Sequence, residues 1–114
     1  SETQILEEFI PVYENFKKAF YHRLEVNPDN EEHKTFKNWI DGIGFIMKQF
    51  ESVLKAHGVE EIKTVGEKFN PKFHEAMGEE MQDGVESHII LKEIDGGYKV
   101  GDKVIKAAKV IINK

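Results

Sequence analysis

Apolar residues recur at spacings of three and four through the first half of the chain, and that rhythm stops at Gly58. Ile5, Phe9, Val12, Phe16, Phe20 and Leu24 fall on one stripe, the spacing of a helix face. Between them Glu7, Glu8, Glu14, Lys17 and Lys18 supply a solvated face. Pro11 interrupts the stripe without ending it; lacking an N–H and crowding the preceding turn, it predicts a kink or a helix start there. Asn27, Pro28, Asp29 and Asn30 then make a dense turn signal, with Asp29 or Asn30 available to cap a second helix.

The second helix carries Phe36, Trp39 with Ile40, Ile43, Ile46 with Met47, Phe50, and Val53 with Leu54, a period near 3.5 that belongs to coiled coils and bundles. Gly42 and Gly44 each cost such a helix roughly 1 kcal/mol relative to alanine unless close packing compensates, so both read as points of close approach. Gly58 suits the left-handed position that ends a helix, which places the end near His57.

Beyond Gly58 short β-branched runs take over: "VESHIILKEI", "YKV" and "KVIKAAKVIIN" read as strands. Asp95-Gly96-Gly97 and Gly101-Asp102 read as tight turns between them. The fold class expected is α+β: a long helical hairpin over residues 1–57, followed over 58–114 by a small antiparallel β-domain.

Each predicted helix has an apolar stripe too wide and too aromatic for one partner helix to cover, and leaving it in water is costly at roughly 25 cal/mol per Å². Pairing two hairpins into a dimeric four-helix bundle covers it. The expected dimer interface is Phe9, Phe16, Phe20, Phe36, Trp39, Ile40, Ile43, Met47 and Phe50, and residues 1–57 are then the dimerisation region.

Composition narrows the partners. Over 114 residues, 16 Lys and Arg against 21 Asp and Glu give a net charge of -5, which argues against general nucleic-acid or anionic-membrane binding and for a protein partner. With 32% charged and 39% hydrophobic residues, the surface is large relative to the core. No apolar run approaches the length of a membrane span. Zero cysteines exclude disulfides and thiolate chemistry and fit a reducing compartment; bacterial cytoplasm is expected, with an organelle matrix as the alternative. The opening "SETQILEEF" begins mid-pattern, as a piece cut from a longer chain would.

Candidate chemistry is sparse. "FNPKFHEAM", Phe69 to Met77, sets a histidine beside a glutamate, yet position 78 is Gly78, so the zinc-protease spacing fails. A metal site of His74, Glu75 and His88 matches no recognised spacing, and the plainer reading is a loop in which His74 and Glu75 make hydrogen bonds that anchor the β-domain next to the helices. Glu79 and Glu80 are adjacent acids, a pattern more typical of a solvated face than of a catalytic pair. His22, His33 and His57 read as surface residues. No phosphate loop, dinucleotide fingerprint, nucleophile elbow or calcium loop is present, and no cofactor or metal is expected. From Gly96 onward Lys99, Lys103, Lys106, Lys109 and Lys114 face only Asp102, either ordinary solubilising charge or a patch that steers an acidic partner.

Taken in order, Gly58-Val59, Gly66, Phe69-Asn70-Pro71, His74-Glu75-Ala76, Gly97-Tyr98 and the basic run Lys103 to Val110 resemble the C-terminal half of the GrpE family. "FIPVYENFKKAF" is similar to that family's Leu-Pro-Val segment, so the resemblance covers nearly the whole chain. It implies a homodimer with paired helices and two small β-domains. It also implies a function without bond chemistry: a β-domain docks on the nucleotide-binding domain of a DnaK-type heat-shock chaperone, opens its cleft and releases ADP. Carried over by position, Gly58 at the helix-to-β junction, Lys103, Ile105, Val110 and Ile112 become the candidate chaperone-binding residues. Lys103 stands where the family usually has arginine and lacks that residue's bidentate fork; Ala107 replaces a common proline and Asn70 a common aspartate. Most of the family's long N-terminal helix and leader are absent from the sequence, which implies a trimmed chain. The alternative is a dimeric adaptor that holds a partner without altering its nucleotide state.

Overall fold

A computed structural model describes all residues, 1–114, and the chain separates into two compact units, Ser1–His57 and Gly58–Lys114. The first is a pair of helices, α1 (Glu2–Tyr21) and α2 (Glu31–Ala56), packed against each other. The second is built from six strands.

Helix α1 opens with a capping box: the Ser1 hydroxyl accepts from the Gln4 N–H at 3.4 Å, and the Gln4 side chain accepts from the Ser1 ammonium at 2.8 Å. It runs through Pro11, so no helix starts there; what proline removes is one ladder bond. Asn30 caps α2, its side-chain oxygen accepting from the amides of Glu32 and His33 at 2.9 and 3.4 Å. The turn before it is closed by Asn27, whose N–H donates to His33 Nδ1 at 2.8 Å and whose side chain accepts from the Asp29 N–H at 3.0 Å. At the far end His57 is the C-cap and Gly58 follows with φ +89°, the left-handed position its sequence context predicted.

The burial pattern corrects the stripe on α1. The residues buried in the hairpin are Leu6, Ile10, Tyr13 and Glu14, one flank over from the predicted stripe, while Ile5, Phe9 and Val12 remain 55%, 45% and 55% exposed. Leu24 lies beyond the helix and is exposed. On α2 the buried residues are Ile40 and Leu54. Phe50 joins the two helices, its ring 6.0 Å from both Phe9 and Tyr13 and stacked on the latter. The two α2 glycines part company. A Cβ on Gly44 would stand 3.1 Å from Phe20 Cζ, so that glycine serves helix contact, whereas one on Gly42 would meet nothing within 4 Å.

In the second unit β1 (Val59–Glu61), β4 (Tyr98–Val100) and β5 (Lys103–Lys106) form one antiparallel sheet in the order β1-β4-β5. The other sheet runs β2-β6-β3, from β2 (His74–Glu80), β6 (Ala108–Asn113) and β3 (Ile90–Asp95). Here β6 is antiparallel to β3 but parallel to β2, so the expectation of a wholly antiparallel β-domain is corrected. The reason is topological. β2 and β3 run in opposite senses, as a hairpin would, and the last strand slots between them; it can oppose only one.

Of the two predicted turns, Gly101-Asp102 is a two-residue hairpin connection, Val100 pairing with Lys103 and Gly101 taking φ +58°. Asp95-Gly96-Gly97 is no hairpin, because β3 and β4 belong to different sheets and the chain crosses between them there. Ile62, Ile90, Ala108, Val110 and Ile112 form the core of this unit, with Phe69, Phe73 and Val104 packed around it. Asn113, at the end of β6, is buried and fully engaged. Its oxygen accepts from the Gln82 N–H at 2.8 Å and its nitrogen donates to the carbonyls of Val85, Glu86 and Gln82 at 2.7, 3.2 and 3.4 Å. One amide thus pins the 81–89 connection that carries the chain past β6, from β2 to β3.

Candidate functional site

His74 begins β2 and is buried. The Asn70 N–H donates to its Nδ1 at 2.9 Å, so that nitrogen carries no proton, and Nε2, 2.9 Å from the Lys63 carbonyl, must be the one that does. Both nitrogens of the neutral ring are spent inside this unit, which leaves none to ligate a metal or move a proton. The role is mechanical: the ring ties the exit of β1 to the turn before β2. "FHEAM" is therefore mostly strand rather than loop, and its anchor is made to residues 63 and 70 of the same unit. Glu75 is exposed, and His88 sits exposed in the 81–89 connection at φ +68°. No group of three or more His, Asp or Glu is placed to hold a metal ion. Glu79 and Glu80 alternate across a strand and face opposite sides, and Glu80 pairs with Lys92 at 2.8 Å.

The remaining histidines have local tasks. His33 accepts the turn bond from Asn27, His22 and His57 cap helices, and His57 Nδ1 lies 2.6 Å from Glu2 Oε1, linking the two ends of the hairpin.

Of the residues carried over for docking, Gly58 and Lys103 come together. The register pairs Val59 with Val100 and Val100 with Lys103, so the residue after Gly58 and Lys103 share one row across three strands. Two strand spacings put them about 10 Å apart. A Cβ on Gly58 would meet Val100 at a normal 3.7 Å, so what requires glycine there is its φ rather than lack of room. Lys103 is exposed and Ile105 half-buried on the outer strand of that sheet. Val110 and Ile112 are placed otherwise: at 0% and 5% exposure they belong to the core, and their side chains cannot touch a partner. Their inward alternation with Lys109 and Ile111 was obscured in the sequence by the unbroken apolar run. Lys99, counted with the basic run, lies 3.8 Å from Glu60, its register partner.

On the helical unit, Phe36 and Trp39 stack on each other at 6.0 Å and are 40% and 62% exposed. Phe9 is exposed; Phe16, Phe20, Ile43, Met47 and Phe50 are half-buried; Ile40 is buried within its own hairpin. Apolar grooves flank these residues. One of about 450 Å³ is lined by Ile5, Leu6, Phe9, Phe50, Val53 and Leu54, and another of about 260 Å³ by Phe16, Phe20, Trp39, Ile40 and Ile43. Exposed apolar area on this scale marks an association surface.

These features define an α+β protein that presents surfaces, a wet apolar helical face and a lysine-bearing sheet edge, with its one conspicuous histidine consumed by structure. The chain belongs to the GrpE family, whose model matches residues 1–114. Similar proteins include Protein GrpE of Bacillus licheniformis, 33% identical over 111 residues, covering 97% of this chain and 54% of that one. Protein GrpE of Oceanobacillus iheyensis is 34% identical over 110 residues, covering 96% and 54%. Protein GrpE of Chlamydia felis is 34% identical over 113 residues, covering 99% and 57%. The chain thus spans about half the length of the curated relatives it matches. No helix is long and apolar enough to cross a membrane.

Proposed function

We propose that this chain is a nucleotide exchange factor: it binds the nucleotide-binding domain of a DnaK-type chaperone and promotes release of ADP, in the bacterial cytoplasm. The observation that carries this reading is membership of the GrpE family over the full length of the chain. Supporting it, Lys103 lies in one row of the β1-β4-β5 sheet with Val59, the residue after Gly58, where a single partner surface can reach both ends of the row. The mechanism needs only differential affinity. A factor that binds the open chaperone more tightly than the closed, nucleotide-holding one must weaken nucleotide binding by the same factor.

The exposed residues of α1 and α2 support a homodimer in which two hairpins make a four-helix bundle, with residues 1–57 as the dimerising part and 58–114 as the docking part. Chaperone loaded with a fluorescent ADP analogue tests the function. Addition of this protein accelerates release; a complex that forms and leaves the rate unchanged indicates an adaptor instead.

A further inference from the structure

Helix α2 carries a strict seven-residue repeat on its exposed side. Phe36, Trp39, Ile43, Ile46, Phe50 and Val53 alternate spacings of three and four, the two inward positions of a coiled-coil seam. Ile40 and Leu54 are buried in the hairpin and Met47, on the same line, is half-buried; Phe50, stacked on Tyr13, shares in that hairpin contact, while Phe36, Trp39, Ile46 and Val53 are exposed, so most of this seam is additional to it. Between His33 and Ala56 the charged residues Lys34, Lys37, Asp41, Lys48, Glu51 and Lys55 all fall on the far side of the repeat. Five of them pair along the helix itself, Lys34 with Glu31 at 3.0 Å, Lys37 with Asp41 at 2.8 Å and Lys55 with Glu51 at 3.0 Å. The outer flank of the seam is neutral at Thr35, Gly42, Gln49 and Ala56. A surface of this kind can be brought against a copy of itself without like charges meeting.

Gly42 is the flank residue that nothing in its own chain explains. A Cβ there would meet no atom within 4 Å, yet the position gives up helix propensity. Trp39, Gly42, Ile43 and Ile46 stand at i, i+3, i+4 and i+7, the four corners of a hole that receives a knob from a facing helix. Trp39 and Ile46 on its rim are 62% and 55% exposed, and Phe45 beside it is 75% exposed. With glycine at one corner the hole is larger than usual, and the seam of this chain offers knobs to match: Phe36 and Trp39 are aromatic and exposed. We propose that the notch at Gly42 seats an aromatic seam residue of a second copy, so that Gly42 sets how closely two α2 helices approach. This rests on the homodimer reading and adds to it the residue that governs the contact.

The sign of one substitution decides the matter. If Gly42 faces only water, Gly42→Ala strengthens the helix and leaves association unchanged or tighter. If an aromatic knob fills the notch, Gly42→Ala weakens the dimer about tenfold by overpacking, and Gly42→Leu removes it at micromolar concentration. Sedimentation equilibrium on the full chain reads the dimer constant, far-UV circular dichroism reads folding separately, and Gln49→Ala on the same flank serves as control. Trp39, the single tryptophan, gives a second readout. Its emission moves to shorter wavelength as wild type associates, and stays red-shifted in Gly42→Leu. Equal or tighter association by folded Gly42→Ala overturns the notch while sparing the dimer; a monomeric wild type overturns both.

Discussion

Gly97 has no room for a side chain: a Cβ would stand 2.4 Å from the backbone nitrogen of Ala108 and 2.8 Å from its Cβ. These are two of the three places where the chain passes from one sheet to the other, between β3 and β4 and between β5 and β6. These two crossings lie against each other, and their closeness lets one small core serve both sheets. Gly97→Ala must therefore displace backbone, and we expect it to destabilise the β-unit by more than ~3 kcal/mol. Thermal unfolding followed in the β region of the circular dichroism spectrum checks this; a shift within a degree or two of wild type would contradict it.

Asn113 has the opposite character, a polar side chain whose value lies in complete satisfaction. Asn113→Leu fills much the same volume but leaves the Gln82 amide and the Val85 carbonyl without their partners, at a cost of about 2 kcal/mol or more. The 81–89 connection should become the first site of cleavage in limited proteolysis. Unaltered protection there would show that other contacts hold it.

His74→Ala separates a structural histidine from a chemical one. It removes two hydrogen bonds and the ring that packs near Phe69 and Phe73. We expect a loss of roughly 3 kcal/mol in the stability of the β-unit. Measured well below the melting temperature and per folded molecule, exchange activity should be unchanged. Lost activity in a folded His74→Ala protein would return the residue to the functional site.

The sequence disclosed the parts of this fold that rest on local chemistry. Asn30 and Gly58 bound α2 because capping is a matter of one side chain and one backbone angle, and Gly101 is a hairpin turn for the same kind of reason. It did not disclose β2, since "HEAMGEE" is acidic, contains glycine and shows no alternation; that strand exists because it borders β6. Parallel pairing of β2 with β6 joins residues more than thirty positions apart, so no turn signal announces it. Gly96-Gly97 was misleading for a related reason: Gly97 answers a tertiary contact with Ala108, which local pattern cannot distinguish from a turn. On α1 two apolar stripes lie side by side, and periodicity alone selected Ile5, Phe9 and Val12 over the buried Leu6, Ile10 and Tyr13. In the candidate site, Lys103 was legible as an exposed strand position, whereas Val110 and Ile112 were not recognisable as core.

The central claim is that the β-unit weakens the grip of a chaperone on its nucleotide, and ADP release from a DnaK-type chaperone tests it most directly. The release rate should rise with the concentration of this protein and reach a plateau. Lys103→Glu should need a substantially higher concentration to approach the same plateau while remaining as dimeric as wild type, because exposed charge at an interface acts mainly on association. A release rate that stays flat while a complex demonstrably forms would contradict the account.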